Sequence, residues 1–134
     1  MKILNHEEPW KSKVNFVDEN EVHLGYDLND DCCAHGGWFI NESPEFWPKG
    51  EYGSEWPKEP SPYPDLPGWT FDTAYFKDRT LPFGYAEGTA IQFRIVNGDK
   101  EQFITLYNCH NGYYGKGFEF VVPKDTSKNR EDTL

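Results

Sequence analysis

Alternating apolar and polar side chains mark the first strands of the chain. Val14 and Phe16 alternate with polar residues, positions 19–21 are polar, and apolar side chains then return at positions 22, 24, 26 and 28. A period of two, interrupted by a short polar break, is typical of a β-hairpin. The segment 38–40 (Trp-Phe-Ile), entered through a Gly-Gly pair, predicts a third short strand.

The clearest pattern begins at Ala90. Ile91, Phe93 and Ile95 alternate with polar residues and lead into the dipeptide Asn97-Gly98. This dipeptide favours a two-residue hairpin turn, because both of its residues tolerate positive φ. Pairing across this turn places residue 94, an arginine, opposite residue 101, a glutamate, and opposite charges on facing strands support that register.

A second Asn-Gly pair, at 111–112, predicts another hairpin further along the chain. Apolar residues alternate again after it at positions 118, 120 and 122. Pairing across the turn would place Phe103 opposite Phe120 and Thr105 opposite Phe118. The C-terminal half is thus predicted to be a three-stranded meander that is apolar on both faces. We expect the N-terminal hairpin and the proline-rich loop described next to cover those faces.

Residues 43–68 carry seven of the ten prolines, a density that sustains neither a strand nor a helix. We expect one long irregular loop there, with a polyproline ligand for another module as the alternative. Segment 72–78 is compatible with a helical turn or a strand, and the polar residues 123–134 predict a flexible tail. The overall prediction is a single domain over residues 1–122. It is mostly β, with α+β as the alternative, and consists of an antiparallel sheet of hairpins with the loop inside it.

Charge and composition narrow the functional classes. The formal net charge is -10, which repels phosphate backbones and anionic membrane surfaces, so neither nucleic acid nor membrane is an expected partner. A basic protein, or a small ligand in a locally positive pocket, remains compatible with this charge. No apolar run near the N-terminus resembles a signal peptide or a membrane span, and the three cysteines do not form a disulfide framework. We therefore expect a cytoplasmic protein with reduced thiols.

Thiols and imidazoles form two small groups that could bind a metal. Adjacent residues of a strand point to opposite faces, so Cys32 and Cys33 are poorly placed to share one ion. We expect buried cysteines and hydrogen-bonded histidines, and no metal or other cofactor. A metal site or a catalytic thiol with a histidine base is the alternative. No nucleotide-binding or hydrolase motif is present, so we expect no enzymatic activity. The residues concerned are Cys32, Cys33, His35, Cys109 and His110.

Two segments together resemble a known family. "DDCCAHGGWFI" (30–40) and "FITLYNCHNGYYGKGFEF" (103–120) are similar to segments of a family of small phage and bacterial proteins, most of them uncharacterised. One branch contains phage sponge proteins that counter Thoeris immunity. The resemblance implies non-catalytic sequestration of a cyclic ADP-ribose isomer by a homo-oligomer with pockets near its subunit boundaries. The residues that carry it are Asp31, Cys32, Cys33, Asn111, Gly112, Tyr113 and Tyr114.

These observations lead to a predicted ligand site and one rival. We expect a nucleotide-derived immune signal to bind at the Asn-Gly-Tyr-Tyr hairpin, with arginine contacting phosphate and an aromatic ring stacking on the base. Phosphate contacts must come from few residues, such as Arg79, Arg94, Lys116 or Arg130. The rival is an acidic protein-interaction module, an immunity protein or an inhibitor of a basic partner. The predicted ligand-binding residues are Asn111, Tyr113, Tyr114, Arg94, Phe103, Trp69 and Asp31.

Overall fold

The structure is a computed structural model that describes residues 1–9, 11–29, 34–46, 57, 59–83, 86–110 and 115–134. Within these ranges, almost all regular secondary structure is β, so the predicted mostly-β fold is confirmed. No helix among these residues has the length and apolar character needed to cross a bilayer. The strands are β1 (Lys2–Glu8), β2 (Lys11–Val17), β3 (His23–Asp27), β4 (Ala34–Asn41), β5 (Thr70–Phe71), β6 (Lys77–Phe83), β7 (Ala86–Asn97), β8 (Lys100–His110), β9 (Gly117–Val121) and β10 (Arg130–Thr133).

The strands form two antiparallel sheets. Sheet A has the order β1-β2-β3-β9-β10, and sheet B has the order β4-β8-β7-β5, with β6 also paired to β7. The predicted N-terminal hairpin is β2–β3, in which Phe16 faces Leu24 and Val14 faces Tyr26. All four of these side chains are fully buried, as the period of two predicts.

Aromatic rings fill the space between the two sheets. Phe93 of sheet B lies 4.8 Å from Phe120 of sheet A, measured between ring centroids. Phe16 of sheet A meets Trp38 of sheet B edge to face, at 4.9 Å and 89°. Such offset and edge-to-face contacts are the geometry that ring quadrupoles favour. Aliphatic side chains, including Leu24, complete this core.

The β7–β8 hairpin forms, but its predicted register is wrong by two residues. Asn97 pairs with Lys100, so Gly98 and Asp99 are the turn residues and Arg94 faces Phe103. Gly98 has a φ of 62°, which a residue without Cβ adopts at little cost. A shift of two keeps every side chain on its predicted face, and the Arg94 guanidinium still reaches Glu101 diagonally, at 2.7 Å.

The predicted meander does not continue into β9. Strand β9 pairs with β3 and β10 in sheet A and not with β8, so the pairing of Phe103 with Phe120 is wrong. The physical reason is burial: in sheet A, Phe118 and Phe120 face the inter-sheet core. Residues 123–134, predicted as a flexible tail, instead contain a 3-10 turn (Thr126–Lys128) and β10, which adds a ladder to β9.

Parts of the proline-rich segment pack against the sandwich, as expected for a covering loop. Its described residues contain no strand, and the Tyr63 ring lies edge to face against Trp38 at 5.4 Å. The backbone N–H of Leu66 donates to the carbonyl of Met1, closing the β1 side of the sandwich. On the outer face of sheet B, the Tyr107 hydroxyl donates to the Pro57 carbonyl at 2.8 Å. The segment 72–78, left open by the sequence, is a turn followed by the start of β6.

One buried carboxylate links the two sheets. Asp18 follows β2 in sheet A and is only 5% exposed. Its Oδ1 accepts the backbone N–H of Val22 at 2.9 Å, and its Oδ2 accepts the backbone N–H of Phe71, in β5 of sheet B, also at 2.9 Å. A third amide, that of Asn20, donates to Oδ1. Asp18 therefore holds the β2–β3 turn and an edge of sheet B with one side chain.

Replacing Asp18 with alanine leaves these amides without their acceptor. Because hydrogen bonds to charged groups are strong and buried amides are costly to leave unpaired, we expect D18A to lower the free energy of unfolding by about 3 kcal/mol. Urea denaturation followed by tryptophan fluorescence measures this loss. D99A, at an exposed turn position, is the matched control and should change stability by less than about 0.5 kcal/mol. Equal effects of the two variants would contradict the linking role of Asp18.

Candidate functional site

A cleft lies between the sheets on the side opposite the closed β1 edge. It opens between β6 and β7 of sheet B and β9 and β10 of sheet A, and its volume is about 340 Å³. This volume lies within the range of small-ligand pockets. The lining residues are Phe76, Asp78, Arg79, Thr80, Thr89, Ala90, Ile91, Phe118, Asp132, Thr133 and Leu134.

The inner wall of the cleft is the edge of the aromatic core. The rings of Phe76 and Phe118 are nearly parallel, with an angle of 25° and a centroid distance of 6.4 Å. The guanidinium of Arg130 lies 4.2 Å from the centroid of the Phe76 ring, a cation–π contact. A flat apolar group entering the cleft would therefore meet rings and a guanidinium plane.

Charged and hydroxyl groups surround this apolar wall. Among the residues that line the cleft, Arg79 is basic and Asp78 and Asp132 are acidic. Arg130, which contacts the Phe76 ring, adds a second positive charge beside the cleft. The cleft therefore offers an anion two guanidinium groups next to two carboxylates. Carboxylates and threonine hydroxyls also offer hydrogen-bond partners for sugar hydroxyls.

The structure separates the described members of the predicted site. Arg94 and Phe103 are neighbours on the outer face of sheet B, whereas Trp69 belongs to the inter-sheet core. The Arg94 guanidinium forms ion pairs with Glu101 at 2.7 Å and Asp72 at 2.9 Å. These two contacts, with Glu101 the stronger, raise the pKa of Arg94 above its ordinary value. None of these three predicted residues lines the cleft.

The other predicted ligand residues, Asn111, Tyr113, Tyr114 and Asp31, lie outside the described residues, as do Gly112, Cys32 and Cys33. The proposed phosphate contacts divide in two groups. Arg79 and Arg130 lie at the cleft, whereas Lys116 is 3% exposed and donates from Nζ to the Asn29 carbonyl.

Two of the thiol and imidazole candidates lie side by side in sheet B. His35 of β4 and Cys109 of β8 are directly paired, so both side chains project from the same face of sheet B. Burial raises the pKa of the Cys109 thiol, which disfavours the thiolate that a nucleophile or metal ligand requires. Among the described residues, no three His, Cys, Asp or Glu side chains are grouped as a metal site.

A second depression, the groove, crosses the outer face of sheet A. It has a volume of about 310 Å³, and its floor includes Gly25 and Gly117. A Cβ at Gly25 would lie 2.7 Å from the Lys13 Cε, so the glycine lets Lys13 cross the strand to Glu119, which its Nζ reaches at 3.0 Å. This hydrogen bond lowers the pKa of Glu119. Other carboxylates, including that of Asp27, leave the groove acidic.

Sequence reasoning missed most of the cleft residues. Phe76 lies in the segment left open between turn and strand, and Asp132 lies in the predicted tail. The pattern of Arg130–Thr133 contains no apolar residue, so periodicity could not identify β10. The sequence signal that could identify part of the cleft is the scarcity of basic residues, because it makes Arg79 and Arg130 two of the few possible phosphate contacts.

Comparison with known proteins finds no protein-family model, no curated protein and no solved structure that matches this chain.

His23, beside the groove, gives a pH-dependent contribution to stability. Its Nε2 lies 2.7 Å from Asn15 Oδ1, and partial burial lowers its pKa below the ordinary 6.5. The folded state therefore favours neutral His23. This contribution is complete above pH 6.5 and is lost as the pH falls through the folded-state pKa. Glu119 and Lys13 face the same ring and act in opposite directions.

We expect H23Q to lose less stability than the unsubstituted protein when the pH is lowered from 7.5 to 5.5. Thermal unfolding at several pH values measures the difference. K100Q, at an exposed position beside the β7–β8 turn, serves as the control and should keep the original pH dependence near pH 6. A parallel pH profile for H23Q and the unsubstituted protein would refute the role of His23.

Proposed function

We propose that the protein is a non-catalytic binder of a small nucleotide-derived ligand, and that the ligand occupies the cleft. The observation that supports this proposal most is the lining of one cavity of about 340 Å³, which combines an aromatic wall, Arg79 and groups that can bind hydroxyls. Ligand pockets commonly combine an apolar lining with a few convergent polar groups in this way.

The chemistry of each wall matches one part of a nucleotide. A base would stack near Phe76, whose ring already accepts the Arg130 guanidinium. The guanidinium of Arg79 suits bidentate contact with phosphate oxygens. Asp78 and Asp132 would repel a phosphate but accept hydrogen bonds from ribose hydroxyls. The arrangement therefore favours a ligand that carries both phosphate and ribose.

The proposal leaves out catalysis because the sequence carries no nucleotide-binding or hydrolase motif. Thr80, Thr89 and Thr133 line the cleft, and their hydroxyls are suited to hydrogen bonds with ligand oxygens. The proposed ligand class agrees with the sponge resemblance. We therefore extend the proposal to sequestration of a nucleotide-derived immune signal by a homo-oligomer, in a phage or bacterial setting.

Native mass spectrometry and calorimetry with AMP, ADP-ribose and cyclic ADP-ribose test this function. We expect a stoichiometric adduct with at least one of these compounds, and about tenfold or greater weakening in R79Q, because a charge-assisted phosphate contact is lost. R94Q is the matched control: Arg94 already binds Asp72 and Glu101 outside the cleft, so its loss should leave affinity unchanged.

Two outcomes would contradict the proposal. Absence of an adduct with every compound would remove the nucleotide ligand. A loss of affinity in R94Q with none in R79Q would move the site to the outer face of sheet B, where Arg94 lies.

A second candidate function follows from the groove. Its carboxylates Asp27, Glu119, Glu131 and Asp132 face only Lys13 among its charged lining residues. Charge complementarity therefore favours a basic segment of a partner protein, as in an immunity protein or inhibitor. Asp27 and Glu131 are suited to substitution because neither is needed for the Lys13–Glu119 ion pair.

We expect the double variant D27N/E131Q to bind an oligolysine peptide about tenfold more weakly than the unsubstituted protein at low salt. E42Q/D99N removes the same net charge away from the groove and is the control. Fluorescence anisotropy at two salt concentrations measures both. Equal losses in the two double variants would indicate attraction by net charge alone and contradict a groove-specific partner.

A further inference from the structure

Strand β10 is one wall of the cleft and an edge strand. Its four residues are all exposed, and it lies at the edge of sheet A, paired only to β9 among the described strands. Asp132, Thr133 and the following Leu134 line the cleft. Any movement of β10 away from sheet B would therefore widen the cleft directly.

Hydrogen bonds hold the chain on both sides of β10. Before the strand, Asn129 Oδ1 accepts the backbone N–H of Val122 at 2.7 Å, and Lys128 Nζ donates to the Thr73 hydroxyl at 3.2 Å. After the strand, Leu134 exchanges two backbone hydrogen bonds with Lys116, of 2.9 and 2.8 Å. Both ends are thus anchored by bonds outside the β9–β10 ladder.

One side chain ties the far end of β10 to the opposite sheet. Asn108 lies in β8, at the centre of sheet B, and is fully buried. Its Nδ2 donates to the Leu134 carbonyl at 3.0 Å. The same residue is paired with Thr89, another lining residue of the cleft. Asn108 therefore connects the two walls of the cleft across the gap between the sheets.

We propose that β10 is a hinged wall of the cleft, and that the Asn108–Leu134 hydrogen bond is the latch that holds it closed. The hinge is the anchored turn that ends at Asn129, and residues 130–134 move as one unit, so that opening also breaks the two Leu134–Lys116 hydrogen bonds and exposes the buried Leu134 side chain. The role in ligand entry rests on the function proposed above, because it assumes that the ligand uses the cleft. Asn108 acts through Leu134 and is a positioning residue.

Hydrogen exchange of the unliganded protein tests the hinge without any ligand. In low urea, the amides of residues 130–134 should exchange through an opening that leaves those of β7 and β8 protected. N108L removes the donor at similar volume and should speed exchange of residues 130–134 about fivefold, with little change elsewhere. N108S is a second, smaller substitution should N108L fold poorly.

Q92L is the matched control, because it also removes a buried amide from sheet B. Gln92 is fully buried and donates to the Thr105 hydroxyl at 3.1 Å, on the face of sheet B away from β10. In Q92L, the exchange rate of the amides of residues 130–134 should therefore increase no more than that of the rest of the protein. If residues 130–134 exchange together with β9 and β3 in the unsubstituted protein, or if N108L and Q92L act alike, the latch is refuted.

A second arm adds ADP-ribose as the probe. We expect it to slow exchange of residues 130–134 in the unsubstituted protein and to dissociate faster from N108L. ADP-ribose that binds and leaves the exchange of residues 130–134 unchanged would refute the role of the wall in ligand entry. If ADP-ribose does not bind at all, the proposed ligand is wrong, while the first arm still decides whether β10 is hinged.

Discussion

The rest of the structure depends on aromatic rings packed between two sheets. Only 37% of the residues are hydrophobic, but 17% are aromatic, so a few large rings must supply most of the buried apolar area. Phe93 and Phe120 meet at 4.8 Å and form the centre of this packing. The cleft begins where the rings end: beyond Phe76 and Phe118, the facing strands carry threonines and charges, which leave space between the sheets.

Rings alone do not determine how two sheets are aligned, since apolar contacts have little directionality. Two buried polar side chains, Asp18 and Asn108, make directional contacts that align the sheets. Asp18 reaches from sheet A to the Phe71 amide of sheet B, and Asn108 reaches from sheet B to the Leu134 carbonyl beside sheet A. The Asp18 carboxylate is the acceptor of the Phe71 amide, and the Asn108 amide adds a second donor to the Leu134 carbonyl, so sliding one sheet would break both bonds. The Asn108–Leu134 bond also lies beside the cleft, which Leu134 lines.

Local patterns in the sequence predicted the strands well and the pairing poorly. Alternation around Phe16 and Phe93 depends only on which face is buried, so it predicted β2 and β7 correctly. The β7–β8 register depends on the turn geometry at Gly98, and the sheet to which β9 belongs depends on partners a hundred residues away. For the same reason the cleft could not be predicted: Arg130 is 54 positions from Phe76 in the sequence, and only the tertiary fold brings its guanidinium onto that ring.

The basic residues of this acidic protein differ in how their charges are already engaged. Arg94 is neutralised by two carboxylates, and Lys116 is held by a backbone carbonyl, so neither is available at the surface as a simple positive charge. Arg130 lies against a ring, a contact that leaves the edges of its guanidinium able to donate. The proposed ligand site depends on this guanidinium and on Arg79, which stand beside the apolar wall of the cleft.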